Sequence, residues 1–365
     1  MAPIGTAIIG GGIWVKERHL VAAENLTRAG RQPAVLNTDI LSLKAIYSRS
    51  LKSATDTASL VTGTTPPDLY ASDAGSGKTY HDLLLRTDIQ AVIVALPILS
   101  QPEHIEAALA AGKHVLAEKP IAGDTAAARK LMEYYRGREH PAEATLAIAE
   151  NYRFFPSFAF AREQAAGLGR VTNFSVRIFS LMGLENKYLG TQWRSKPDYQ
   201  GGFLLDAGVH QAAATRFILS AGGSDGNDSK ADTVHAITDR VTEYLLPIDT
   251  VNAIIRTRSG ATGTYQHSMG SKMSAFEWHF AYEKGSISIV GDTVTVKPDG
   301  RDEIVRHFPR APYVNEEVAA WARAIADGKP DPLQSVEEAL GDLEFLERMF
   351  QSGEQNGALQ RYQFQ

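Results

Sequence analysis

Residues 4 to 15 read IGTAIIGGGIWV. Ile4 to Ile9 is a short apolar run bounded by glycine. Gly10, Gly11 and Gly12 follow at once, and a helical pattern then runs from Ile13 to Ala29. Strand, glycine turn and helix in that order form the setting of a dinucleotide-binding fingerprint. Glycine permits the tight turn and lets backbone amides approach a pyrophosphate at the helix N-terminus. Gly10 and Gly12 take the first two fingerprint positions, and Ile13 opens the helix. Val15 stands at the third, where glycine or alanine ordinarily allows close helix packing. A glycine-rich turn without a ligand is the competing reading of this stretch taken alone.

Outward from it, the first half alternates strands and helices. Leu43–Tyr47 reads as a strand whose end lies beside an adenosine ribose. An acid there would favour NAD; Ser48, Arg49 and Ser50, with Lys52 close by, suit a ribose phosphate instead. The expectation is NADP, against the plainer reading of a solvated basic turn. The segment Arg31 to Ser42 makes the interval from the glycines long. Thr55 to Asp73 reads as loop, broken by Pro66 and Pro67. Tyr80–Arg86 and Pro102–Ala111 read as helices, and Ala91–Leu96 as a buried strand ended by Pro97. His114–Ala117 is a strand running into Glu118, Lys119 and Pro120, followed by a helix at Asp124–Arg136 and a strand at Thr145–Ala149. This rhythm predicts a doubly wound parallel sheet with ligands beyond the carboxyl ends of its strands. Lys119 falls at such an end, where an ammonium can stabilise charge developing on a substrate oxygen.

Asn151 to Pro156 joins the halves, giving an expected dinucleotide domain at 1–150 and a substrate-binding domain at 151–365. The second half has a helix at Ser157–Ala166 and an alternating strand from Thr172 to Ile178. From Thr233 to Phe308 come strands around Glu243, Asn252, Gly263, Phe276, Ser286 and Thr293. They predict an open antiparallel sheet. Ala221–Ala231 reads as a mobile surface loop, and Glu316–Ala326 and Val336–Phe350 as closing helices. Within the helical run Leu204–Leu219, the phrase GGFLLDAGVH (201–210) sets Asp206 and His210 four residues apart on one face. A carboxylate beside an imidazole can act as an acid/base pair at neutral pH. The plainer alternative is a capping acid and a packed histidine.

A chain of 365 residues is comfortable for two domains. Its net charge of −5, with no long basic run, weighs against nucleic acid or anionic membrane as a partner. The absence of cysteine excludes disulfides, thiolate metal sites and a cysteine nucleophile. The N-terminus lacks the basic lead-in and cleavage site of a signal peptide, and no apolar run is long enough to span a bilayer, so a cytosolic protein is expected. The histidines show no ligand-spaced cluster. No metal is expected, and His19, His81, His267 and His279 read as structural.

In order along the chain, IIGGG, AVIVALP, AAGKHVLAEKP, NYRF, QWR, GGFLLDAGVH and YEKGSISI resemble the glucose–fructose oxidoreductase / inositol dehydrogenase / rhizopine-catabolism (Gfo/Idh/MocA) family. AGKHVLAEKP and the glycine-pair, Asp, His phrase are the specific parts. The resemblance implies an α/β Rossmann domain followed by an α+β domain whose open, mostly antiparallel sheet forms the interface of a homodimer or homotetramer. It implies that Lys119, Asp206 and His210 converge on a small-molecule substrate beside the nicotinamide. Leu96 and Pro97 at one strand end, and the Glu118–Lys119–Pro120 step, whose proline peptide is often cis, line the cofactor. Gln101, in place of a more usual asparagine, and His104 pass near its nicotinamide half. Trp193 and Arg194 approach the cofactor in NADP-using members, and Tyr152 and Arg153 touch substrate, with Tyr313 a weaker candidate. Ala213 departs from the aspartate that many relatives carry three residues after the histidine.

The implied reaction is reversible hydride transfer between NADP and a carbinol or carbonyl carbon of a sugar or polyol-like substrate. His210 would exchange the hydroxyl proton, Asp206 hold the imidazole and Lys119 stabilise the alkoxide. Alternatives are the same chemistry on a dihydrodiol or a secondary-metabolite carbonyl or imine. Another is a non-catalytic dinucleotide-binding sensor resembling the galactose-pathway repressor, against which Lys119, Asp206 and His210 speak.

Overall fold

Six strands pair in parallel around the glycine turn. They are β1 (Ile4–Ile9), β2 (Leu41–Ser48), β3 (Asp68–Ala71), β4 (Ala91–Val94), β5 (His114–Glu118) and β6 (Leu146–Ala149), in the order β3-β2-β1-β4-β5-β6. The structure is a computed structural model and describes residues 2–26, 40–137, 144–222 and 229–365. The chain leaves β1 toward β2 on one side and later crosses to β4 on the other. The crevice beyond their carboxyl ends is therefore the topological switch point where such sheets take ligands. Ala91 to Val94 are wholly buried, which explains why β4 reads as an unbroken apolar run.

Gly10 makes the first turn possible. Its φ is +135°, and a Cβ there would stand 2.3 Å from the Ala95 carbonyl oxygen. Beyond it the chain forms a π-helical turn at Val15–His19 and an α-helix at Leu20–Asn25. Val15, the residue that departs from the fingerprint, is buried in the core and sits within this widened turn. The expected continuation to Ala29, and most of the long interval Arg31 to Ser42, lie outside the described residues.

The loop expected from Thr55 to Asp73 is found at 59–67, but a helix runs into its start and a strand interrupts its end. Leu51–Ala58 is a helix, capped where the Ser50 hydroxyl accepts the Ser53 amide, and Asp68–Ala71 is β3 at the sheet edge. The helix buries only Ala54 and Thr57, small side chains, and the strand is only four residues long, so neither carries a long apolar run.

The two compact units switch at Glu150/Asn151, as the expected boundary has it, but neither is continuous in sequence. One compact unit comprises Met1–Ala122, Ala126–Glu150 and Tyr313–Val336, and the other comprises Gly123–Thr125, Asn151–Pro312 and Glu337–Gln365. The helix Val314–Asp327 returns to the first unit because its apolar stripe completes that core. Val314, Val318, Trp321 and Ala322 pack in one cluster with Ile8, Val15, Leu20 and Leu41.

The second unit is built on β7 (Val171–Leu181), β8 (Ala231–Asp239), β9 (Thr250–Thr257), β10 (Thr262–Ser268), β11 (Gly270–Tyr282), β12 (Gly285–Val290), β13 (Thr293–Pro298), β14 (Ile304–His307) and β15 (Gln360–Arg361). Their order is β14-β13-β12-β11-β7-β10-β9-β8-β15. The sheet is mixed: β7 and β10 run parallel, while the other described pairs are antiparallel. The strand expected around Glu243 is instead the connection from β8 to β9, where Pro247 follows a cis bond and has no amide to give a ladder. Of the loop expected at Ala221–Ala231, residues 223–228 lie outside the described residues.

The helix Gly202–Leu219 is buried on nearly every side. Its glycine pair is required twice over. Gly201 and Gly202 have φ of +68° and +51°, and a Cβ on Gly202 would lie 1.8 Å from the Leu246 carbonyl oxygen. Among the described residues no helix is long and apolar enough to cross a membrane.

Candidate functional site

In the first unit the predicted residues gather at the carboxyl ends of the strands. Gly10–Gly12 follow β1, Ser48 ends β2, Leu96 and Pro97 follow β4, and Glu118 ends β5 with Lys119 next. A Cβ on Gly12 would meet nothing within 4 Å, so the start of the helix beginning near Ile13 is uncovered. Ser48 is buried and Arg49 is exposed. Lys52 is 83% exposed and pairs at 2.7 Å with Asp56, so its ammonium leans along its own helix. Asp73 reaches the same turn, where its Oδ1 accepts the Leu51 amide at 2.6 Å.

Gln101, expected near the nicotinamide half, holds backbone in this structure. It is buried, and its Nε2 donates to the carbonyls of Glu118 (3.0 Å) and Pro120 (3.3 Å). It clamps the backbone around the cis Lys119–Pro120 bond, and its buried amide is a positioning group for Lys119. His104 Nδ1 lies 2.9 Å from the Ser100 carbonyl, and its ring packs with Tyr80 and Tyr47 at centroid separations of 4.9 and 6.1 Å. The Tyr80 hydroxyl donates to the His104 carbonyl at 2.8 Å; burial pushes this phenol upward, and it stays neutral.

Glu118 is held from the helix that follows the glycine turn. Its Oε1 accepts from Trp14 Nε1 at 2.6 Å and lies 2.6 Å from His19 Nε2. His19 is therefore structural in the sense of fixing this carboxylate. Around the same strand end the structure gathers two acids the sequence reading missed, Glu150 and Glu317, each 1% exposed. Burial holds the Glu317 carboxyl well above its usual 4.5; Glu118 and Glu150 add to the rise, and Lys119 opposes it. The signal was present: Glu317 lies on the helical face of Val314, Val318 and Trp321, an acid on an apolar stripe.

A pH dependence follows. The unfolded chain loses this proton near pH 4.5 and the folded one only at higher pH, so the group costs stability as pH rises above 4.5. Glu317→Gln removes that cost. Urea midpoints of the two proteins are expected to agree near pH 4.5 and to diverge by pH 8 in favour of the variant. Equal midpoints at both pH values would show that the carboxyl ionises as it does in the unfolded chain.

In the second unit Asp206 is buried, and Arg194 Nε donates to its Oδ2 at 2.7 Å. The Arg194 guanidinium also lies 3.9 Å from the centroid of the Trp193 ring. A short helix, Gln192–Ser195, thus ties the predicted Trp–Arg pair to the predicted acid. His210 is half-buried and stacks on Tyr152, centroids 4.7 Å apart at 12°. The Tyr152 hydroxyl accepts from Gln211 Nε2 at 3.3 Å, so this ring is fixed against the histidine.

Arg153, expected to touch substrate, is engaged within the second unit. It is 2% exposed, and its Nη2 donates to both Asp342 oxygens at 2.8 and 2.7 Å. Arg216 pairs with the same carboxylate. Ala213, fully buried, offers His210 no carboxylate one turn on. Tyr313 belongs to the first unit as the left-handed residue (φ 49°) that opens the helix Val314–Asp327.

The residues of the first unit fit a dinucleotide: a turn only glycine can make, an open helix start for a pyrophosphate, and an exposed guanidinium after β2. Residues 4–142 match the family described as "Oxidoreductase family, NAD-binding Rossmann fold", and residues 162–288 match the GFO/IDH/MocA C-terminal domain. The chain belongs to the Gfo/Idh/MocA oxidoreductase family.

This Gfo/Idh/MocA member is 36% identical to Dehydrogenase FPY6 of Fusarium mangiferae over 370 aligned residues, covering 99% of this chain and 100% of that one. It is 26% identical to D-xylose 1-dehydrogenase (NADP(+)) 2 of Haloferax volcanii, over 77% of this chain and 83% of that one. An oxidoreductase structure from Thermotoga maritima superimposes with a TM-score of 0.82 at 30% identity, covering 98% of each chain.

Proposed function

We propose that this oxidoreductase uses NADP and transfers a hydride to or from a carbinol or carbonyl carbon of a sugar or polyol-like substrate. The observation that carries the cofactor choice is the turn after β2, where the exposed Arg49 follows the buried Ser48. A guanidinium suits a ribose phosphate in a way that a ribose diol does not require. The carboxylate near that turn, Asp73, is engaged by the Leu51 amide. The sugar reading is supported by the D-xylose dehydrogenase among the relatives.

The nicotinamide, when bound, supplies the hydride chemistry. His210 exchanges the substrate hydroxyl proton, with its ring plane set by Tyr152. Asp206, fixed by Arg194, accepts hydrogen bonds from a neighbouring hydroxyl or from the imidazole. Lys119 stabilises negative charge on the reacting oxygen, and its backbone is held by Gln101.

Spectrophotometric screening of NADP reduction across aldoses and polyols tests the reaction class. Arg49→Ala tests the cofactor. Its NADP affinity is expected to fall about tenfold or more, the loss of one charged hydrogen bond of roughly 1.5–3 kcal/mol, with NAD affinity nearly unchanged. Equal losses for both dinucleotides would reject the phosphate role.

A further inference from the structure

The second unit contains a cavity of about 290 Å³ beside the proposed proton-transfer residue. Ala207 and Gln211 form its helical wall; Ala207 lies one turn before His210 and Gln211 directly after it. Ser180, Ser274, His267 and Arg310 supply its other polar groups.

Three features of the lining bear on what it would hold. His267 is fully buried, and desolvation pushes its imidazole down to about 3, so it is neutral near pH 7. Arg310 is then the only charged group in the lining, and it is exposed at the rim, its guanidinium 5.5 Å from the centroid of the Phe276 ring. Gln211 is 9% exposed. Its Nε2 is given to Tyr152, while its Oε1 has no hydrogen-bond partner. A buried acceptor without a partner is costly, and a ligand hydroxyl would satisfy it. A neutral polar chamber with one cation at its mouth and one waiting acceptor in its wall matches a molecule with hydroxyls at one end and an anionic group at the other.

We propose that this cavity binds the part of the substrate remote from the reacting carbon, and that the substrate is a sugar carrying one anionic group. Arg310 takes the anion and Gln211 Oε1 accepts a hydroxyl. The proposal rests on the oxidoreductase reading above and names the substrate class of that site.

The test uses the full-length protein saturated with NADPH, with dinucleotide binding measured first and separately. Calorimetric titrations then compare D-glucuronate, D-glucose 6-phosphate and D-glucose, the first two distinguishing a carboxylate from a phosphate. At least one anionic sugar is expected to bind tenfold or more tightly than D-glucose. Arg310→Ala should erase that preference, Arg310→Lys should keep part of it, and NADPH affinity should stay unchanged in both. Gln211→Leu should weaken all bound sugars alike. Anionic sugars binding no better than D-glucose, no sugar binding at all, or a preference that survives in Arg310→Ala overturns the proposal. Absence of dinucleotide binding in the first step instead overturns the oxidoreductase reading.

Discussion

Lys119→Met is expected to lower turnover about 10²–10³-fold, and His210→Asn about 10²–10⁴-fold, with dinucleotide affinity kept within a factor of a few. The first magnitude is that of removing one donor from a developing oxyanion, and the second that of removing a general acid/base. Neither change should unfold the protein. Lys119 is half-buried at a strand end whose backbone is held by Gln101, and His210 is half-buried against Tyr152. On the proposed mechanism the double variant should lose little more than the worse single one, because groups serving one step are not additive. Turnover within threefold of wild type in both single variants would remove these residues from the chemistry and leave the family fold without its proposed function.

Asp342→Ala is expected to lower unfolding free energy by about 3–5 kcal/mol, the cost of stranding a buried charge by deleting its partner. Asp342 is 2% exposed at its side chain and accepts from two guanidinium groups, Arg153 and Arg216, themselves 2% and 8% exposed. Glu338, also hydrogen-bonded to both, is 43% exposed and cannot take over the buried carboxylate's place. Denaturant unfolding followed by tryptophan fluorescence reads the loss. Asp342→Asn should fall between, since it keeps an acceptor and loses the charge. A loss below 1 kcal/mol would mean that water reaches both arginines.

The sheet of the first unit and the phrase around the long helix were legible because each depends on local constraints. Gly10 and Gly202 stand where a Cβ would meet a carbonyl oxygen, and β4 is apolar on both faces because both are buried. What escaped depended on distant partners. The pairing of Arg153 with Asp342, 189 residues later, could not be read from the neighbourhood of either residue. Nor could the hold of the Gln101 amide on the carbonyls of Glu118 and Pro120. The parallel pairing of β7 with β10 is invisible to alternation, which reports which face is buried and not which way a neighbour runs. Glu317 and Glu150 escaped because the interest of an acid lies in the other acids near it, and those come from separate elements.

The return of Val314–Asp327 to the first unit has a bearing on biosynthesis. Ile8, Val15 and Leu20 emerge from the ribosome some three hundred residues ahead of Trp321, the side chain that covers them. Until then the nascent nucleotide-binding half carries an open apolar wall, the kind of surface that chaperones hold and that aggregates when it waits. Topology thus delays completion of that core until some three hundred further residues have been made.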